Sequence, residues 1–189
     1  MSPHAHLAPY ALIAALCSLV PLPFLDDIAR RQVMRAAYAS IAHELGQPQP
    51  EAALVALTRS KRSLLVGCFL GILWWPIRKL FRTVVFFLAA KDFVDQAGEA
   101  AVRGLLVHRA LERQLLPNHA ESVREAIDAA WEKAGKSAAL RAYRRPASAP
   151  PEAPFLVSLT HRLADGADHA SVHEAFEREL SRRITGPAP

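Results

Sequence analysis

Residues 64–90, LLVGCFLGILWWPIRKLFRTVVFFLAA, form the most hydrophobic block of this 189-residue chain and decide the fold that we expect. The first 14 residues of the block carry no charge and would make about 21 Å of helix, too short for the roughly 30 Å hydrocarbon core of a bilayer. Pro76 breaks a helix near Trp74 and Trp75, and a second helix follows over residues 76–97. The block therefore predicts an apolar helical hairpin with its corner at the two tryptophans.

Basic residues bracket this block, since the chain between Glu51 and Asp92 has seven lysines and arginines and no acidic residue. A single straight span over residues 64–90 would hold three of these cations in mid-helix, at roughly 2.5–3.5 kcal/mol each. Cations that flank an apolar run suit an anionic membrane surface, whereas nucleic-acid binders place theirs among polar residues. We therefore expect an anionic membrane surface as the partner, and no nucleic acid. The predicted membrane-surface residues are Arg59, Lys61, Arg62, Arg78, Lys79 and Arg82.

The large apolar side chains of the block are the ones that we expect to enter the membrane. In the second helix, Arg78, Lys79 and Arg82 fall on one arc of about 100°, which leaves much of the remaining surface apolar. Tryptophan favours the membrane–water interface, where the corner of the hairpin would lie. The alternative is the core helix pair of a soluble protein, whose arginine stems reach back to water. The predicted membrane-inserting residues are Phe69, Leu73, Trp74, Trp75, Phe81 and Phe87.

The composition of the whole chain favours helices. With 51% hydrophobic and 22% charged residues, the chain can bury a core, so disorder throughout is excluded. Abundant alanine and few β-branched runs favour helix over sheet. We predict an all-α fold, a helical bundle that contains the apolar hairpin and is followed by a Pro/Ala-rich linker and a C-terminal helix. The expected boundaries are 1–140 for a helical membrane-associated domain, 141–154 for the flexible linker and 155–189 for the C-terminal helical segment.

Residues 7–25, LAPYALIAALCSLVPLPFL, could be a targeting or spanning segment. No lysine or arginine precedes them and no small-x-small cleavage site follows, which argues against a signal peptide. Pro9 is expected to open the helix and Pro21 to break it, so residues 9–20 would form only about 18 Å of helix. We expect a buried or membrane-dipping helix that is retained.

Between this segment and the apolar block, the pattern predicts two helices with defined ends. Residues 28–45 repeat an apolar residue every four positions, carry their arginines on the opposite side and are followed by Gly46 as a helix stop. Pro50 is placed to start a short helix that runs through Thr58. The predicted buried stripe of the longer helix consists of Val33, Ala37, Ile41 and Leu45.

Three further amphipathic helices are predicted after the block. The first covers residues 99–116. The second follows a capping-box-like pair, Asn118 and Glu121, and ends at Gly135. The third covers residues 168–184. The predicted buried residues are Val123, Ile127, Trp131 and Ala134 in the second helix, and Val172, Phe176 and Leu180 in the third.

No set of side chains predicts catalysis. His169 and His173 share a helical stripe with Glu177, a spacing that a divalent metal accepts but that a solvated polar face explains as well. Cys17 and Cys68 have no clustered partner for zinc, and we expect free thiols, although their spacing leaves a disulfide open. We expect a protein that is not an enzyme and that uses no cofactor and no metal.

Short motifs in the first half of the chain resemble a known family. The VPLP motif at 20–23, the acidic pair at 26–27, the helix rich in small residues and the Leu-Gly pair at 45–46 resemble the opening of EcsC-type bacterial proteins. They are also similar to the helical membrane domains attached to some bacterial GTPases. Gly67, Gly71 and the apolar block would correspond to the glycine-containing hairpins of those proteins. The resemblance implies an all-α, membrane-associated accessory protein, and no catalytic residues carry over.

Two hypotheses from different classes follow from the sequence. The first is a non-enzymatic bacterial protein at the cytoplasmic face of the inner membrane, peripheral or re-entrant, held by residues 7–25 and 64–90. Its C-terminal helix could then serve a protein partner. The alternative is a soluble helical bundle that encloses a lipid or another apolar ligand.

Overall fold

A computed structural model describes residues 3–17, 25–59, 82–135 and 170–185 of the chain. Within these ranges the structure consists of helices, turns and short connections without a strand, which confirms the predicted all-α fold. The predicted linker 141–154, most of the apolar block and Cys68 lie outside the described residues. The helices are α1 Pro3–Cys17, α2 Leu25–Glu44, α3 Glu51–Thr58, α4 Arg82–Glu112, α5 Ala120–Ala130 with a π-helical turn Trp131–Gly135, and α6 Ala170–Thr185.

Helix α4 is the centre of the bundle and, at 31 residues, its longest described helix. Helices α1, α2 and α5 and the π-helical turn all pack against it. Helix α3 packs on α2 and α5, while α6 packs on α5 and the π-helical turn. One apolar cluster joins these helices, and it includes Leu106 of α4, Val123 of α5 and Phe176 of α6, each with no exposed surface. The C-terminal helix is therefore part of the same core as the N-terminal helices.

Small side chains bring α1 and α4 close together. On α1, Ala11, Ala14 and Ala15 are buried, and they belong to the same cluster as the alanines of α4. A Cβ atom placed on Gly104 of α4 would lie 2.6 Å from Cδ2 of Leu7. Since real Cβ contacts are longer than this, Gly104 lets the Leu7 side chain lie directly on the α4 backbone.

Helix α2 ends as the sequence predicts. Gly46 adopts φ 66°, in the left-handed region that glycine tolerates without strain. Its N–H donates to the His43 carbonyl at 3.0 Å, and the N–H of Gln47 donates to the Ala42 carbonyl at 2.8 Å. These two bonds form a Schellman motif, which satisfies two carbonyls that the end of the helix leaves without intrahelical partners. The predicted start of α3 at Pro50 is also confirmed, since Pro50 is its N-cap residue.

Two predicted helix starts and one predicted break are wrong. Pro9 lies inside α1, where its side chain is exposed, instead of opening the helix. Helix α4 continues through Gly98, where the sequence predicted two helices, because the buried neighbours Ala97 and Ala100 offset the roughly 1 kcal/mol that glycine costs in a helix. The N-cap of α5 is His119, without a side-chain cap bond, so Asn118 does not cap this helix.

The predicted buried faces of α5 and α6 are confirmed. Val123, Ile127, Trp131 and Ala134 are all buried, and Gly135 ends the π-helical turn that continues α5. On α6 the three predicted residues Val172, Phe176 and Leu180 are at most 4% exposed. On α2 the buried face is shifted, because Met34, Tyr38 and Ala42 are buried beside Ala37 and Ile41, while Val33 and Leu45 are only half-buried.

Candidate functional site

The predicted membrane residues that fall within the described ranges stand where α3 ends and α4 begins. Arg59 follows the last residue of α3, and its side chain is 75% exposed. Arg82 is the first residue of α4, and Phe87 lies in the second turn of that helix. The other predicted residues lie outside the described residues: Lys61, Arg62, Arg78 and Lys79 of the surface set, and Phe69, Leu73, Trp74, Trp75 and Phe81 of the inserting set.

Among the described residues, Arg59 has one weak ion-pair contact. Its Nη1 lies 4.0 Å from Oε1 of Glu121, whose own side chain is 54% exposed. An ion pair at this distance between two exposed groups contributes at most about 1 kcal/mol. The guanidinium of Arg59 is thus available to an anionic group in solution or at a surface.

Exposed apolar side chains occur at the end of α1 and at the start of α2. Among the described residues, the large apolar side chains that are exposed are Ile13, Leu16, Ile28 and Val55, at 47, 52, 53 and 37%. Ile13 and Leu16 lie in the last two turns of α1, and Ile28 lies in the first turn of α2. We call these three residues the α1–α2 tip. The described helices do not include one that is both long and apolar enough to span a membrane.

A partly buried ionic network links α2, α4 and α5. Nη2 of Arg103 donates to Oδ1 of Asp128 at 2.7 Å, and Nε of Arg103 donates to Oε1 of Glu99 at 2.9 Å. Oε2 of Glu99 also lies 3.1 Å from Nη2 of Arg30. The sequence placed the arginines of α2 on the side opposite the core, and for Arg30 this is wrong, because its side chain is only 22% exposed and reaches α4.

The network continues through Arg124, a charged side chain that is only 7% exposed. Its guanidinium contacts Oε2 of Glu121 at 2.8 Å and Oδ2 of Asp128 at 3.3 Å. A third carboxylate, that of Glu125, lies 3.4 Å from its Nη2. A buried charge is tolerated only when it is paired and hydrogen-bonded, and the three carboxylates of α5 meet that requirement.

Two clusters attach α6 to the rest of the bundle. The carboxylate of Glu179, which is only 6% exposed, lies 3.1 Å from Nζ of Lys133 and 3.2 Å from Nη2 of Arg183. Arg182 donates to the same carboxylate, and Arg183 also pairs with Glu125 of α5. Farther toward the start of α6, the carboxylate of Glu177 pairs with Arg109 of α4 and with Arg113, the residue that follows α4. Charged contacts therefore connect α6 to α4, α5 and the π-helical turn.

The ionisable groups of this network are held in their charged forms. Burial alone would raise the pKa of Glu99, but the positive charges and hydrogen bonds of Arg30 and Arg103 outweigh burial and hold the pKa below its ordinary value. The hydrogen bond from Lys133, with the charge of Arg182 close by, lowers the pKa of Glu179 in the same way. Burial raises the pKa of the neighbouring Tyr38 to about 12, and the nearby arginines only partly oppose this rise.

The lowered pKa values indicate which chemistry the network is suited to. A general acid or base needs a pKa near the working pH, whereas Glu99 and Glu179 have theirs lowered away from neutrality. The arrangement therefore suits fixing helices in place rather than proton transfer. Within the described helices no group of three metal-ligating side chains comes together, and His169 of the predicted stripe lies outside them.

The sequence contained a signal for this network that periodicity of apolar residues does not reveal. Glu99 and Arg103 are four residues apart, as are Arg124 and Asp128, so each pair shares one helix face. Such pairs are common on solvated surfaces. Only the packing of α4 against α5 shows that Arg103 also reaches across to Asp128.

The sequence matches no protein-family model, no curated protein and no solved structure.

Proposed function

We propose that this chain is a non-enzymatic bacterial protein that binds the cytoplasmic face of the inner membrane through an apolar helical hairpin over residues 64–90. The observation that carries the proposal is the stretch 52–91, which combines the most apolar block of the chain with seven cations and no acidic residue. Near an anionic surface each cation contributes about 1 kcal/mol to adsorption, and apolar insertion adds to it.

Helix α3, which precedes the apolar block, and helix α4, which continues it, support the proposal. Arg59, at the end of α3, offers a 75% exposed side chain whose one ion-pair contact within the described part of the chain is long. The end of α3 is itself held in place, because Oγ1 of Thr58 accepts a hydrogen bond from Nε of Arg35 at 3.2 Å. The end of the block is continuous with α4, which begins at Arg82 and whose described buried side chains start at Ala97.

The resemblance to EcsC-type proteins and to the membrane domains of bacterial GTPases supports the same proposal. It implies an accessory role beside another protein. The outer face of α6 is the surface on which such a partner would act, because Glu174, Arg178 and Ser181 are exposed there while the inner face is buried.

The decisive experiment is vesicle binding by a charge-reversed variant. Changing Arg78, Lys79 and Arg82 to glutamate should weaken binding to anionic vesicles by at least about 100-fold, because three contributions of about 1 kcal/mol are lost and three repulsive charges are added. The same variant should bind neutral vesicles like the parent. Raising the salt from 0.1 to 1 M should weaken binding of the parent, since the screening length falls from about 10 Å to about 3 Å.

A matched control uses an exposed arginine far along the chain. Arg178→Glu changes one exposed charge on α6, and Arg59→Glu changes one beside the block. Only Arg59→Glu should weaken binding. Equal binding by the triple variant and the parent would overturn the proposal. Complete recovery of the native protein in a detergent-free high-speed supernatant would also overturn it, and would favour a soluble bundle around an apolar ligand.

A further inference from the structure

We infer that the α1–α2 tip, formed by Ile13, Leu16 and Ile28, is a second membrane-inserting site that enters the boundary between headgroups and acyl chains of an anionic bilayer. The inference rests on the proposed function and assigns a role to side chains outside the apolar block. Three of the four exposed large apolar side chains among the described residues lie at this tip. Each of the three is about half exposed, although the helices around them are well packed.

The packing of α1 leaves only its outer face for such a contact. Leu7, Ala11 and Ala14 are at most 5% exposed, and they face α2 and α4 in the bundle. Ile13 and Leu16 are three residues apart, so they lie next to each other on the opposite, outer face. The membrane therefore receives a few side chains at one end of α1, while the rest of that helix stays in the protein core.

The chemistry of the tip fits a bilayer better than a protein partner. The tip side chains are purely aliphatic. Residues 7–25, which include Ile13 and Leu16, contain no charged residue, and Asp26 and Asp27 directly precede Ile28. The residues that dominate protein interfaces are tryptophan, tyrosine and arginine, and the tip has none of these. Hydrocarbon requires only that apolar surface leaves water. We therefore commit to a lipid bilayer as the occupant.

The nearest charges set the depth of insertion. Ile13 lies four residues before the end of α1, which corresponds to about 6 Å along the helix axis. Interfacial helices bury their apolar faces about 5–10 Å deep, so this depth is sufficient. On α2, Asp27 and Arg31 form an ion pair on either side of Ile28 in sequence. These charged groups would remain at the level of the headgroups.

The test uses the full-length protein and vesicles of phosphatidylcholine with or without phosphatidylglycerol. The double variant Leu16→Asp/Ile28→Asp should bind both kinds of vesicle at least about tenfold more weakly than the parent, because apolar insertion does not depend on lipid charge. The matched control is Val55→Asp, which changes an exposed apolar residue on α3 and should leave binding to the uncharged phosphatidylcholine vesicles unchanged. Circular dichroism checks that all variants keep their helix content.

A variant that is expected to bind more tightly tests the inference even if the aspartate variants fold poorly. Leu16→Trp should strengthen binding several-fold, and brominated lipid should quench more of its fluorescence than in the parent, because tryptophan favours the interface. Unchanged binding by the double variant, while the reversal of Arg78, Lys79 and Arg82 still weakens it, would overturn this inference and leave the proposed function standing. A parent that binds no vesicle would overturn both. Loss of self-association in the double variant would instead make the tip an interface between copies.

Discussion

At the scale of a single residue, the raised pKa of the Tyr38 phenol can be measured by titration. Burial raises its pKa to about 12 in the folded protein, above the ordinary value of 10.0. The neutral phenol therefore stabilises the fold fully below pH 10, and this stabilisation is lost as the pH rises from 10 toward 12. Two pKa units correspond to about 3 kcal/mol at most.

The variant Tyr38→Phe should remove this dependence. Its free energy of unfolding in urea should fall less than that of the parent between pH 9 and pH 11.5. The difference between the absorbance titrations of parent and variant at 295 nm should show one phenol that ionises near pH 12. A difference titration with its midpoint near pH 10 would contradict the burial of Tyr38.

At the scale of an element, α6 depends on Phe176 more than on its ion pairs. Phe176 has no exposed surface, so Phe176→Ala should lower the free energy of unfolding by about 3–5 kcal/mol. Val55→Ala, at a residue that is 37% exposed, should change it by no more than about 0.5 kcal/mol. Urea denaturation followed by circular dichroism measures both values. An unchanged unfolding transition in Phe176→Ala would show that α6 does not share the core.

The same helix shows what the sequence predicts well and what it does not. The register of α6 follows from the spacing of Val172, Phe176 and Leu180, because one apolar stripe on a polar helix has only one way to face a core. The continuity of α4 through Gly98 could not be predicted in this way. Glycine costs about 1 kcal/mol in a helix, and the burial of the adjoining residues Ala97 and Ala100 in the bundle, which favours the helix here, is not visible in the sequence.

The candidate site is also predicted only in part by the sequence. Local composition predicts the acid-free basic stretch, since charge and hydropathy are read directly from the sequence. The ionic network and the α1–α2 tip depend on which face of each helix is covered. Arg30 illustrates this, because a position that is polar by periodicity reaches Glu99 on a helix nearly seventy residues later.

At the scale of the whole molecule, the lowered pKa values of Glu99 and Glu179 make the bundle sensitive to acid. A carboxylate whose pKa falls on folding stabilises the protein above its ordinary value of 4.5, and this contribution is lost as the pH falls through the folded value. We expect the free energy of unfolding to be nearly constant from pH 7 to pH 5 and to fall below pH 4.5.

The double variant Glu99→Gln/Glu179→Gln provides the control for acid sensitivity. It should be less stable than the parent at pH 7, because it leaves the partly buried Arg30 and Arg103 short of a charged partner, but its stability should change less between pH 5 and pH 3. Urea titrations at fixed pH give both slopes. Parallel slopes for parent and variant would assign the acid sensitivity to other carboxylates.

The central position of α4 has a consequence for the order in which the protein is made. The ribosome releases α1 and α2 first, yet the helix that covers much of their inner faces ends 95 residues after Cys17. At about 5–20 residues per second, the emerging N-terminal helices wait roughly 5–20 s for that cover. During this interval Leu7, Met34 and Tyr38 are open to chaperones, to other nascent chains or to a nearby bilayer. Where translation takes place could therefore matter as much for this protein as its final fold.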